Sequence, residues 1–289
     1  MRLSVLSTKH LNRLGLAAFL VCTLLPLAAG LAYALAYSFG LAGALSHGFT
    51  TEHWMAVLNA RETWYSLVLS VGIAAAVVIL ATILAMSVVL YWGDRLDRGL
   101  PGYLIYLPLA VPPLAAAFLT FQWLGKSGLL ARAGVALGLF SGLDQAPEWI
   151  NDPWHIGVIV TLVALTAPFF TVLFLQYRRA ENLPQLMQIA RTLGATGRQA
   201  VWRVAAPVLL RRALPNLGLS AIFLFGAYEA PLLLGRQSPR MISVLIAQKF
   251  RKFNLSDVPQ AYTLTLLYTG VVGLAAWWIF RKMKRLALK

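Results

Sequence analysis

Six apolar stretches, each long enough to cross a bilayer as a helix, constrain this chain more than any other feature. A hydrocarbon core of about 30 Å needs roughly 20 apolar residues at helical rise. The stretches at about 14–37, 65–91, 101–124, 155–177, 213–234 and 259–280 meet that length. In such a medium each backbone N–H and C=O must be paired inside the chain, so a run of this kind forms a helix. Composition agrees: 59% of the 289 residues are apolar and 12% are charged, against about 25% charged in a soluble domain. A water-soluble globule and a disordered chain are both excluded. The expectation is an all-α polytopic membrane protein, with residues 1–289 forming one transmembrane domain.

The first stretch reaches Tyr37, too long for the roughly 7–15 apolar residues of a signal sequence, so it is expected to remain as an uncleaved helix. The third carries Pro101, Pro108, Pro112 and Pro113. These prolines predict a kinked helix whose freed carbonyls are satisfied by neighbouring helices or by a wet path. The formal charge is +15, from 25 Lys+Arg against 10 Asp+Glu. With six spans, 17 of the 25 basic residues fall on the side that holds both termini and 8 on the other. The positive-inside rule therefore puts both termini in the cytoplasm. One segment, 235–258, breaks the rule. It is placed outside yet carries Arg236, Arg240, Lys249, Arg251 and Lys252.

Residues 178–212 are too polar to span and too patterned to be a linker. Pro184 opens a helical pattern in which Leu186, Ile189, Ala190 and Leu193 share a face. Gly194 and Gly197 then mark a turn, and a second short helix is predicted over 198–205, ending at Pro207. A helix-turn-helix between spans 4 and 5 suits a rigid contact with another protein. The residues alone equally suit an amphipathic hairpin lying on anionic lipid.

The run from Gln188 to Ala195 resembles the EAA loop of binding-protein-dependent ABC importer permeases, a pattern of the form E-A-A-x-x-x-G-A. Ala190, Gly194 and Ala195 match. Gln188 replaces the usual Glu, and Ile189 the usual Ala. Leu183-Pro184 upstream and Arg203, Val204 and Pro207 downstream extend the likeness. Pro108 to Pro113 is similar to the family's third span, and Ala167-Pro168-Phe169 to its fourth. Gly226 to Gly235, then Met241 to Phe250 with Asp257 and Ala261, resemble the polyamine, iron and thiamine branch.

The resemblance implies a permease of a bacterial-type inner membrane that works with a second permease subunit, the same or different, with ATP-binding cassette ATPase subunits and with an extracytoplasmic substrate-binding protein; the departures at Gln188 and Ile189 point to a different second permease. It implies ATPase coupling through Gln188, Ala190, Arg191, Gly194, Ala195 and Arg198, and alternating access for a small polar solute, a polyamine-like one favoured. Glu229 is the one acid inside an apolar stretch. A charge there costs at least about 2.5 kcal/mol, so it should face a path or a partner. With Tyr228, Pro112, Pro113 and Gln122 it makes the candidate translocation path. The basic residues Arg236, Arg240, Lys249, Arg251 and Lys252 become a candidate binding-protein dock or gate.

No catalytic site is expected. Gly125-Lys126-Ser127 lacks the earlier glycine of a phosphate loop, since Thr120 stands at that position. His10, His47, His53 and His155 have no metal-ligand spacing. No cofactor or metal is anticipated, and ATP hydrolysis is assigned to a partner. The competing readings are an integral-membrane enzyme, which would need a catalytic cluster, and an uncoupled channel or scaffold.

Overall fold

Every regular element among the described residues is helical. The structure, a computed structural model, describes residues 3–43, 46, 48–96, 99–252 and 254–287. Five helical segments are long and apolar enough to cross a membrane: Gly15–Ser38 within α1 (Leu3–Ser38), α3 (Arg61–Leu96), α7 (Ile156–Ala180), Gly197–Phe225, and Asp257–Lys282 within α13 (Asp257–Ala287). A sixth is a broken pair, Leu100–Ala110 and Pro113–Ala136, bent by 97°. The chain is an all-α polytopic membrane protein.

The third stretch is thus sharply broken rather than kinked. The residue before a proline is driven out of the helical region by its ring. Val111 precedes Pro112 at ψ 120°, and Pro112 precedes Pro113 at ψ 144°. Two extended residues in succession end one segment, formed by α4 (Leu100–Leu104) and a 3-10 turn at Leu107–Ala110, and start α5 (Pro113–Leu124) in a new direction. A short helix, α6 (Leu129–Ala136), follows α5.

The fifth stretch also departs from the sequence reading. Helix α10 (Ala206–Phe225) begins before residue 213 and stops short of Glu229. It is followed by a break at 226–228 and a six-residue helix, α11 (Glu229–Leu234). At the break the Ala227 carbonyl has lost its helical partner, and the Ser243 hydroxyl donates to it instead.

The chain divides into two compact units. The larger holds Trp64–Leu245 and the chain from Val272 onward. Its core is built from helix faces with a four-residue repeat: Ala81, Ala85 and Val89 of α3, Phe170 and Phe174 of α7, and Leu209, Ala213 and Leu217 of α10. Residues four apart lie on one helix face, and the alanines let the backbones approach closely. At the end of α13 in this unit, the Arg281 guanidinium lies 5.0 Å from the Trp277 ring and the Lys282 ammonium 4.1 Å from the Trp278 ring. Exposed tryptophans paired with cations suit a membrane–water boundary.

The smaller unit gathers the described residues up to Thr63 and Ile246–Val271. It includes α2 (Glu52–Asn59), and α12 (Ile242–Arg251) ends within it. Tyr33, Tyr37 and Phe250 pack their rings around Tyr262, with centroids 5.9, 4.5 and 5.0 Å away. Trp54 donates its indole N–H to Ser38 at 3.3 Å.

Candidate functional site

Helix α8 (Leu183–Thr192) begins two residues after α7, with Pro184 in its first turn. Proline is suited to that place because the first N–H groups of a helix have no intrahelical acceptor. Leu183 is buried in the core of the larger unit, and Met187 packs against it. These two residues fix the angle of α8 against α3, α7 and α10. Beside this rooted edge Leu186, Ile189 and Leu193 are exposed, Leu193 at 84%. The apolar stripe of the helix is therefore rooted along one edge and uncovered along the other.

The turn after α8 is closed by its own backbone: Gly194 N–H donates to Arg191 and Ala195 N–H to Ala190, both at 3.0 Å. Gly194 adopts φ +90°. A side chain there would be strained, since the left-handed region costs L-residues about 1–2 kcal/mol. A Cβ at Gly194 would meet no atom within 4 Å, so the turn is open on that side. Gln188, Arg191, Gly194 and Arg198 are exposed, and Ala190 and Ala195 are half-buried. All six residues named for coupling thus gather at one end of α8.

The chain then re-enters a helix through a capping box. The Thr196 hydroxyl accepts from Gln199 N–H at 3.3 Å, and the Gln199 carboxamide accepts from Thr196 N–H at 2.9 Å. The predicted second short helix does not stop at Pro207. A short turn α9 (Gly197–Gln199) runs through a π-helical segment, Ala200–Ala205, straight into α10. A proline inside a helix lacks a donor and crowds the carbonyl four residues earlier. The wider π-turn just before Pro207 relieves that crowding and lets the helix continue.

The residues proposed for the path are spread along two packed elements, α5 and α11. Pro112 and Pro113 lie at the start of α5, and Gln122 lies near its end, roughly 14 Å farther along the helix at 1.5 Å per residue. All three are exposed. Glu229 is exposed in the first turn of α11, and Tyr228 before it is half-buried. Glu229 is therefore at a helix start after a backbone break, where its charge complements the helix dipole. Thr120 and Thr161 serve packing: Thr161 donates to Thr120 at 2.8 Å, linking α5 to α7.

The basic residues do not form a set of five equivalent cations. Arg236 and Arg240 belong to the larger unit, and Lys249, Arg251 and Lys252 to the smaller. Lys249 and Lys252 lie 3.6 and 3.4 Å from the two carboxylate oxygens of Asp257, and Lys249 also donates to Gln260 at 2.7 Å. Arg236 and Arg251 are exposed.

Sequence reasoning missed a strap leading into α7, in which Ile150, Asp152, His155 and Gly157 are buried. Asn151 N–H donates to the Leu234 carbonyl at 2.9 Å and so ties residues 149–157 to the end of α11. Asp152 accepts from Trp154 and Ile156 N–H at 3.0 and 2.9 Å. His155 is 3% exposed, and neither ring nitrogen has a hydrogen-bond partner among the described residues. Burial pushes its pKa down, Asp152 opposes that shift, and Arg236 adds to it. Left-handed backbone at Asn151 and His155 had no pattern in the sequence to announce it. His47 lies outside the described residues. Among the described residues, no group of three or more His, Cys, Asp or Glu is placed to hold a metal.

The comparisons with known proteins agree with this architecture. The family described as binding-protein-dependent transport system inner membrane component matches residues 78–286. The chain is 27% identical over 240 residues to the trehalose/maltose transport system permease protein MalF of Thermococcus litoralis, covering 81% of this chain and 79% of that protein. It is 25% identical over 222 residues to the molybdenum transport system permease protein ModB of Mycobacterium tuberculosis, covering 76% and 79%. In fold it is similar to a chain of a bacterial ABC transporter involved in the import of the acidic polysaccharide alginate. There the TM-score is 0.72 at 15% identity, over 99% of both chains. Permeases of this kind belong to multi-subunit importers in which ATP hydrolysis resides on a separate subunit. The protein belongs to the binding-protein-dependent transport system inner membrane component family and is a permease subunit of an ABC importer, forming a translocation path across the membrane.

Proposed function

We propose that the turn after α8 docks in a groove of an ATP-binding cassette ATPase subunit and passes its closure to the membrane helices. The observation that carries this is the division of α8. Leu183 and Met187 anchor it in the helix core, while Leu186, Ile189 and Leu193 remain uncovered beside an open Gly194. An apolar face on a rooted helix is the form in which a helix lies in a partner's groove. Both termini are cytoplasmic in this reading. A second, different permease subunit completes the path, and an extracytoplasmic binding protein delivers the solute. The basic residues Arg236, Arg240, Lys249, Arg251 and Lys252 are proposed as its dock or as a gate, with Asp257 beside Lys249 and Lys252. The test of coupling is Gly194→Asp. The variant should insert normally yet lose the stimulation of ATP hydrolysis by loaded binding protein. Undiminished stimulation would refute the coupling reading.

The transported solute is a small polar molecule. The polyamine-like assignment rests on the resemblance of Gly226 to Gly235 and on the exposed carboxylate of Glu229. The named relatives carry trehalose/maltose and molybdenum, so the solute's charge is the property to measure. Glu229→Gln should raise the apparent KM severalfold for a cationic solute. An unchanged KM would remove the polyamine assignment and leave the permease reading intact.

A further inference from the structure

The end of α7 from which α8 departs is held on two sides. On one, Tyr177 accepts from the Asn216 amide of α10 at 2.6 Å, and Glu181 pairs with Arg212 of α10 at 3.1 Å. On the other, Arg178 pairs with Asp94 at the end of α3, a residue 84 positions earlier in sequence. The two partners are unlike. The Arg178 side chain is 11% exposed and that of Asp94 is 89% exposed. The guanidinium thus lies in a notch between helices and reaches a carboxylate at the surface. The notch exists because residue 93 is glycine: a Cβ there would lie 2.9 Å from Arg178 Nε and 3.1 Å from its Cδ and Cζ. A flat, permanently charged guanidinium fits such a slot.

A pair with so exposed an acid contributes only about 0–1 kcal/mol to stability. Its effect lies in what it connects. Between Arg178 and the first residue of α8 there are four residues, and the Arg178–Asp94 pair adds a polar tie to the apolar core that holds residues of α3 and Leu183 of α8. We infer that Arg178 is a positioning residue for energy coupling: through Asp94 it makes α3 follow α8 when the ATPase closes. The inference rests on the coupling reading of α8. Apolar packing resists separation of the helices without direction, and the charged pair adds a directional contact that opposes a shift of α3 along α7. With the pair intact, α3, α7 and α10 move as one body. Without it, α3 lags.

The experiment uses the complete complex in nanodiscs, with spin labels at two exposed sites, Tyr91→Cys on α3 and Gln185→Cys on α8, in a Cys22→Ser background. Distances are compared between the nucleotide-free state and the state trapped with ATP, magnesium and vanadate. In the parent the α3-to-α8 distance should stay constant through trapping. In Arg178→Ala and in Asp94→Asn it should change by about 2 Å or more, the size of helix shifts in such transitions. The thermal midpoint of Asp94→Asn, whose side chain is 89% exposed, should be unmoved. Asp94→Asn is at an exposed position, so it remains informative if Arg178→Ala fails to assemble. Constant distances in both variants, or a changing distance in the parent, would overturn the inference while leaving coupling untouched. A label at Leu193 that does not respond to the ATPase would overturn the coupling reading itself.

Discussion

Leu183→Ala isolates the root of α8 from its docking face. Leu183 is 1% exposed and buried with residues of α3, α7 and α10. Truncating a fully buried leucine costs about 2–5 kcal/mol, since the lost contacts and the cavity add together. Taking about 3 kcal/mol and tenfold per 1.4 kcal/mol, the docked state of α8 should become about 150-fold less favoured. The site is at the end of a short helix, so the loss should appear as local opening rather than global unfolding. Hydrogen exchange followed by mass spectrometry reads this directly: peptides spanning 183–192 should exchange about two orders of magnitude faster, with those of α7 little changed. Leu193→Ala is the matched control. At 84% exposure it should leave exchange as in the parent, yet diminish ATPase stimulation. If Leu183→Ala left the α8 amides as protected as in the parent, the argument that Leu183 holds this helix would be wrong.

Three further outcomes follow from other contacts. His155 is buried as a neutral ring with a lowered pKa, so the unfolded chain takes up its proton first. Stability should therefore be present above about pH 6.5 and fall as the pH drops through that value toward the lower folded-state pKa. His155→Gln should flatten the thermal midpoint across pH 5–7, and an unaltered profile would contradict the buried neutral ring. Asp257→Asn removes the carboxylate shared by Lys249 and Lys252. It should cost about 1–2 kcal/mol, between the exposed-pair and buried-pair limits, and the loss should shrink in high salt. Thr196→Ala deletes the capping hydroxyl and should cost about 1 kcal/mol, seen as faster exchange over 197–205 with transport-site residues unaffected.

Hydropathy and helical spacing carry the number of apolar segments and the pattern of α8, because both depend on local composition. They fail where one residue's backbone decides the outcome. The four prolines of the third stretch announce a disturbance, but only the extended angles at Val111 and Pro112 turn it into a 97° bend. Gly226 to Tyr228 reads as part of an apolar run, yet the chain breaks there, and the Ser243 hydroxyl donates to the freed Ala227 carbonyl. The face of Leu186, Ile189, Ala190 and Leu193 is legible in the spacing, but that buried Leu183 and half-buried Met187 root the helix while Leu186, Ile189 and Leu193 stay exposed depends on packing partners far along the chain. The excess basic charge of 235–258 reads as uniform in composition, but the local fold brings Lys249 and Lys252 onto Asp257. The pair Arg178–Asp94 has no local pattern at all.

The central claim, that the uncovered face of α8 meets an ATPase subunit, is tested most directly by placing a photo-crosslinking residue in turn at Met187, Ile189 and Leu193 of the assembled importer. Positions 189 and 193 should form adducts with the ATPase, and position 187, packed against the helix core, should form them within the chain. Adducts from 189 and 193 to lipid alone would show an interfacial hairpin instead, and would contradict the account.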